Sequence, residues 1–539
     1  MGYAHDYATE ILRRGRVHME PVGFVPDYDD PPRRAKFYPG ADVLPLPPDG
    51  GYPAGATVGR SLPPDADPPR DSAFDLAVLS GMLRDSYGLT GRRLGVQANT
   101  DLGALPHYPI ANWSRGTSSG GGLYPVAIHW ISGAAGPVPP GIHHYYPPRH
   151  ALQRLLTGDV TGEVRAALGP DAPGPDTDQY LVLSVKYWQN AFKYNSFSFH
   201  AVSMDIGALV QTWRMWGRAR GLEVEPALWF DEDRLARLLG VEQSEEGIFA
   251  VVGLRWAGTG AGTPPGDGAG PDAGPVSATV RLRDSEQSRR TREFEHNTTM
   301  QQVTSGRAAD RPAARDLEPA AAPPVTGRGP LTELPAPAPL DTDVLTALRR
   351  RRSSFGRFEA QRPLGAEHLA AALSAARGGY ALGGDALPPG APRLVQLYAF
   401  VNHVEGLEPG AYVHDPDAGG LRQVTRGPLG GFLQENYFLS NYNLEQAGAV
   451  LVPTVRTHAV LDAVGPRGYR LVNAMIGGIA NATYSAAAVL GIGCGVALGF
   501  DNVSYVEHLG LEETGEYPLL IMMLGHERAN PADFRYEIA

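Results

Sequence analysis

The chain has 539 residues, long enough for two or three domains each with its own core, and its 43% hydrophobic and 19% charged residues are ordinary for a globular protein. A net charge of −11 argues against a nucleic-acid binder that needs a basic face, and the single cysteine, Cys494, excludes an internal disulfide framework and any cysteine-rich zinc or iron–sulfur site. No apolar run reaches the ~20 residues of a membrane span, and the N-terminus carries acids without a signal peptide's apolar core, so the expectation is a cytoplasmic protein with neither nucleic-acid nor membrane partners.

Along the chain, NWSRGTSSGGGLYPVAIHWI (112–131) reads as a Ser/Gly-rich loop running into a strand. The β-branched run 180–186 predicts a buried strand, and 201–220 a long buried helix ending at Gly221. A short helix over 231–239 and a strand over 249–254 follow. Residues 258–340 change composition: 258–275 and 320–340 are Gly/Pro/Ala-rich and read as flexible or extended linkers, while the charged stretch between them has room for a helix. Next comes ALRRRRSSFGRF (347–358), after a helix expected to be capped by Asp341 or Thr342. A second long helix (471–490, ending at Gly491), a short helix (501–509) and a strand (519–525) close the chain.

The second series echoes the first at an offset of 270. Ungapped over 180–241, about 13 of 62 positions are identical, against roughly five by chance in this composition. The identities include Ile206/Ile476, Gly207/Gly477, Gly221/Gly491, Phe230/Phe500, Asp231/Asp501 and Gly240/Gly510. The expected organisation is therefore α+β: half one over 1–257, a linker region over 258–340, and half two over 341–539. All seven tryptophans lie within 113–256, so the copies have specialised differently.

Three segments carry chemistry. The Ser/Gly loop exposes backbone N–H groups and hydroxyls, which suits close approach to a planar cofactor or an anion; no G-K-[ST] follows, so it is not a Walker loop. Taken alone, a Gly-rich turn is the blander explanation. In 347–358, guanidinium and hydroxyl groups side by side make a phosphate clamp, or else a solvated basic helix end. The third is NAFKYNSFSF (190–199), holding Lys193-Tyr194. Only three lysines occur (Lys36, Lys186 and Lys193) among 47 basic residues, so a surviving lysine can mark a need for a cation able to lose its proton, although drift explains any one of them equally well.

Together these pieces resemble the FMN-dependent nitroreductase superfamily, and within it the SagB-type thiazole/oxazole-forming peptide dehydrogenases. The resemblance rests on RRSSFGRF with Arg-x-Ser-x-x-x-Phe spacing (Arg352, Ser354, Phe358), SSGGGLYP in place of a Pro-Ser-Gly-Gly loop, the Lys-Tyr pair, GIGCGVALGFD, and KFYPGADVLPLP (36–47) as the branch's opening. It spans roughly 30–257 and 341–530, and implies tandem nitroreductase-like domains forming an intramolecular pseudo-dimer. In the family two subunits share each flavin site. Here the Ser-Gly loop and Lys-Tyr pair lie in half one and the clamp in half two; GRSLPPDADPP (59–69) and YALGGDALPPGAPR (380–393) are poor counterparts. The resemblance thus implies one FMN per chain, held by Arg351, Arg352, Ser354, Ser118, Ser119, Gly120, Leu498 and Gly499, with Ser118 standing where the family has Pro. Lys193 and Tyr194 would be catalytic: the Tyr194 phenolate as base, with Lys193 lowering its pKa or losing its own proton. The implied substrate is an azoline-containing precursor peptide from a cyclodehydratase partner. A generic flavin reductase of nitro, quinone or enone compounds, or a flavin-dead scaffold of a biosynthetic complex, is the alternative.

Overall fold

The computed structural model describes residues 2–48, 56–62, 72–95, 110–258, 276–325, 329–354, 358–528 and 534–538. Two antiparallel sheets share one strand order. The first runs Asp42–Pro45, Ala151–Thr157, Gly141–Tyr146, Val126–Ser132, Gln179–Lys186, Glu246–Gly253, Pro226–Ala227. The second runs Leu331–Glu333, Gly420–Arg426, Gly410–Asp415, Val395–Val401, Ala449–Val455, Ile521–Gly525, Gly493–Ala497. Gln179–Lys186 and Ala449–Val455 are apolar without alternation because both of their faces are covered. Short helices repeat as well: Asp231 and Asp501 cap Glu232–Leu239 and Asn502–Leu509, and Gly240 and Gly510 end them at φ 64° and 65°.

The long helices Ser198–Arg218 and Gly468–Leu490 pack against each other at the centre. They cross where Gly207 meets Gly477, the repeat-related pair. A Cβ on Gly207 would overlap the Ala474 carbonyl, and one on Gly477 the Met204 carbonyl. The termini cross over between halves. Helix Tyr3–Arg13 packs on Thr457–Val464, with His5 hydrogen-bonded to Asp462 at 2.9 Å. At the other end, Phe534–Glu537 pairs with Gly91–Gly95 of the first half.

One expectation is corrected. The helix Val344–Arg350 is capped by Asp343, whose carboxylate accepts from the Thr346 N–H at 2.8 Å; the Thr342 carbonyl is engaged by the Val58 N–H at 3.0 Å. In the linker region, residues 259–275 lie outside the described residues; the charged stretch holds a helix, Glu295–Ser305, burying Met300, and the extended segment after it includes Leu331–Glu333, an edge strand paired with Gly420–Arg426. Proline on an edge costs no ladder hydrogen bond, so a Pro-rich segment can still join a sheet.

Candidate active site

The Ser-Gly loop is held from both halves. Ser118 donates its N–H (3.1 Å) and hydroxyl (3.2 Å) to Asn481 Oδ1 on the second long helix, and the Asn481 amide in turn donates to Gln211 and Thr212 on the first. A proline at 118 would lose that N–H, a physical reason for serine at this position. Ser119 Oγ and the Gly120 N–H each donate to Asp205 at 2.7 Å, and Ser119 Oγ accepts from the Tyr124 N–H at 2.9 Å. Gly121 and Gly122 then turn at φ 62° and 66°, a region glycine enters freely.

Lys193 and Tyr194 close over that turn. A Cβ on Gly121 would lie 3.0 Å from Lys193 Nζ and overlap the Tyr194 hydroxyl. Lys193 Nζ sits 5.1 Å from the Tyr194 ring centroid. Burial and then the Arg34 guanidinium lower the Lys193 pKa from its ordinary 10.5. Burial, followed by the charges of Asp205 and Tyr28, raises that of Tyr194. Of the two expected routes to a base, burial disfavours the charged Tyr194 phenolate and favours the deprotonated Lys193 amine. His200, a fallback base on the same segment, is buried with Nδ1 2.7 Å from the Tyr469 hydroxyl.

In half two the clamp divides. Arg351 does not face an open phosphate site: its guanidinium donates to the carbonyls of Gly116 (2.7 Å) and Arg115 (3.1 Å), tethering the base of the Ser-Gly loop. Arg352, 37% exposed at its side chain, pairs with Glu527. Ser354 is fully buried; its N–H donates to the Cys494 carbonyl at 2.6 Å, while its hydroxyl has no partner among the described residues. A buried hydroxyl without a partner is costly and marks a place prepared for an acceptor. Residues 355–357 of the motif lie outside the described residues, and Phe358 is buried. The donor set fits a phosphate-bearing cofactor: Ser354 supplies an idle hydroxyl and Arg352 a cation that a phosphate could share with Glu527.

Leu498 and Gly499 sit beyond the strand Gly493–Ala497. The Leu498 carbonyl accepts from Arg14 and the Gly499 carbonyl from the Phe438 N–H at 2.9 Å. The loop 437–442 runs from there toward the first half: Tyr437 bridges Phe500, and burial, followed by the Tyr194 phenol, raises the pKa of Tyr437. Gly495 has no room for a Cβ because the Tyr442 ring lies against it.

The corresponding loop of half two is engaged by other protein groups. Gly383 and Gly384 turn at φ 72° and 57°, and a Cβ on them would overlap Arg214 and the Pro226 carbonyl. Asp385 accepts from the Leu228 and Trp229 N–H groups and pairs with Arg311 at 3.0 Å.

Sequence reasoning missed Asp205, Asn481 and Glu527. The repeat held a signal for the first: Asp205 aligns with Met475, so the acid accompanies the half that keeps the Ser-Gly loop. Among the described residues, no cluster of His, Cys, Asp and Glu could hold a metal, and no helix is long and apolar enough to cross a membrane.

The architecture is that of two nitroreductase-like halves on one chain. Residues 348–526 match the Nitroreductase family model. A nitroreductase-type structure from Anabaena variabilis ATCC 29413 superposes over 98% of this chain and 100% of its own, with a TM-score of 0.70 at 19% identity. A nitroreductase-type structure from Ralstonia eutropha JMP134 covers 39% of this chain and 98% of its own (TM-score 0.29, 20% identity). The E. coli microcin synthetase McbBCD complex with truncated pro-MccB17 covers 33% of this chain and 70% of its own (TM-score 0.28, 16% identity). No curated protein matches the chain.

Proposed function

We propose that this chain is an FMN-dependent oxidoreductase of the SagB type, converting azoline rings of a precursor peptide to thiazoles or oxazoles. The observation that carries the reading is the complementarity of the halves. Half one brings the Ser-Gly loop and Lys193–Tyr194, half two brings Arg351–Ser354, and Arg351 ties the two together through the carbonyls of Arg115 and Gly116. One working site per chain follows, because the opposite loop at 383–385 is engaged by Arg214, Glu225 and Arg311. Ser354 and Arg352 would hold the FMN phosphate, and the loop 118–120 with Leu498 and Gly499 would border the flavin. FMN, when bound, supplies the hydride acceptor and a route for the electrons to O2. Lys193, as the neutral amine, removes the proton at the former Cα of the residue that became the ring. Tyr194 stays protonated and offers a hydrogen-bond donor beside it.

The test is an azoline peptide incubated with the purified protein and FMN. A mass loss of about 2 Da per ring, one H2, is expected. Unchanged peptide, together with pyridine-nucleotide-driven reduction of quinones or nitro compounds, would replace this reading with a generic flavin reductase.

A further inference from the structure

Asp205 lies on the first long helix and is buried. Its two oxygens are both engaged by the Ser-Gly loop, one by the Ser119 hydroxyl and one by the Gly120 N–H, each at 2.7 Å. No cation among the described residues bonds it; the titratable side chains it influences are the phenols of Tyr87 and Tyr194, with Lys193 on the far side of Gly121. A carboxylate without a countercharge is an expensive way to fasten a loop. The repeat shows that the fold does not need it, because Met475 occupies the equivalent position in the half whose loop has changed. The geometry points to Asp205 as a positioning residue: its carboxylate fixes Ser119 and Gly120 so that Gly121 seats against Lys193 and Tyr194 and the loop's remaining donors are set for the flavin. Protonation would turn one of its acceptor oxygens into a donor facing groups that already donate.

Burial raises the Asp205 pKa from its ordinary 3.8 to about 7, so the switch falls near neutrality. Folding then takes up a proton between those values, and the flavin-free protein loses stability as pH rises through that window. The loop is fixed at the expense of the fold, as befits a functional rather than a structural group.

The flavin part of this inference rests on the proposed function, so the test has two arms on the full-length chain. In the first, FMN binding is titrated by fluorescence at pH 6 and pH 8 for the wild type and Asp205→Asn. Affinity of the wild type is expected to fall about tenfold more steeply toward pH 6 than that of the variant, and the variant to bind about tenfold more weakly at pH 8. FMN's own phosphate titrates equally in both proteins, so the difference isolates Asp205. In the second arm, without flavin, the Gly120 amide should exchange faster in Asp205→Asn, while the variant is at least as stable as wild type at pH 8. Identical pH slopes and unchanged Gly120 exchange would overturn the inference. A wild type that takes no FMN at any pH would overturn the proposed function instead, and the exchange arm alone would then decide the role of Asp205.

Discussion

Lys193 and Tyr194 show how neighbouring side chains acquire opposite tendencies from one burial. Desolvation penalises whichever form is charged, so it lowers the pKa of the amine, leaving more of it as free base at a given pH, and keeps the phenol protonated. Lys193→Ala is therefore expected to keep its fold and FMN but lose azoline oxidation by ~10²-fold or more, the scale of a general base. Lys193→Arg should fail similarly, because a guanidinium keeps its proton. The rate should rise with pH through the Lys193 pKa, which lies below 10.5, and Tyr194→Phe should keep that limb. A Tyr194→Phe variant whose limb disappears would return the base to the phenol. Lys186, by contrast, is paired with Asp284 (2.8 Å) and Glu286 (2.7 Å), so Lys186→Arg should leave the rate near wild type. Ser354 carries a separate expectation. Removing a hydroxyl that has no partner among the described residues should not destabilise the flavin-free protein, whereas FMN affinity should drop by about 1–2 kcal/mol. Equilibrium dialysis alongside thermal melts checks both; full flavin retention in Ser354→Ala would remove it from the site.

The two long helices decide how the halves meet. Their backbones touch at Gly207 and Gly477 because neither position has a side chain to hold them apart. Gly207→Ala or Gly477→Ala should cost about 3 kcal/mol or more, since backbone rather than a flexible side chain must give way; denaturant unfolding measures it, and a loss under 1 kcal/mol would mean the crossing can slide. Both glycines were visible in the sequence as a repeated pair, as were the caps Asp231 and Asp501, because these elements are built by local rules that the repeat writes twice. The long helices start three residues before the expected 201 and 471 because no capping side chain marks their N-termini. The fastening of the loop was less legible. Asn481 reaches Ser118 across 363 positions, and Arg352 is matched by Glu527 across 175. No local periodicity encodes such pairs; only the broken symmetry of Asp205 against Met475 hinted at one of them.

Across the whole molecule, the proposed function has one chain make both sides of the site, so flavin content should approach one FMN per polypeptide after reconstitution. A value near two would mean that the site around Gly383 and Gly384 opens to accept a second. Fusion also frees each half from the other's sequence: in a symmetric dimer, any substitution that plugged one site would plug both. The crossing of the termini has a consequence in time. The helix Tyr3–Arg13 and the residues after it take partners from two stretches of the chain. Tyr7 donates to the Ser196 carbonyl at 2.8 Å and Glu10 pairs with His296 at 2.7 Å, whereas His5 with Asp462, Arg14 with the Leu498 carbonyl and Arg16 with Asp501 and Glu507 lie near the other end. At roughly 5–20 residues per second, translation separates that helix from its last partners by about half a minute to a minute and a half. During that interval Tyr7 can meet Phe199 but not Tyr469, so the apolar face of Ala4, Tyr7, Ala8 and Ile11 is covered from one side alone. The nascent chain therefore carries a half-covered apolar helix, and a ribosome stalled short of residue 462 should hold it within reach of a chaperone.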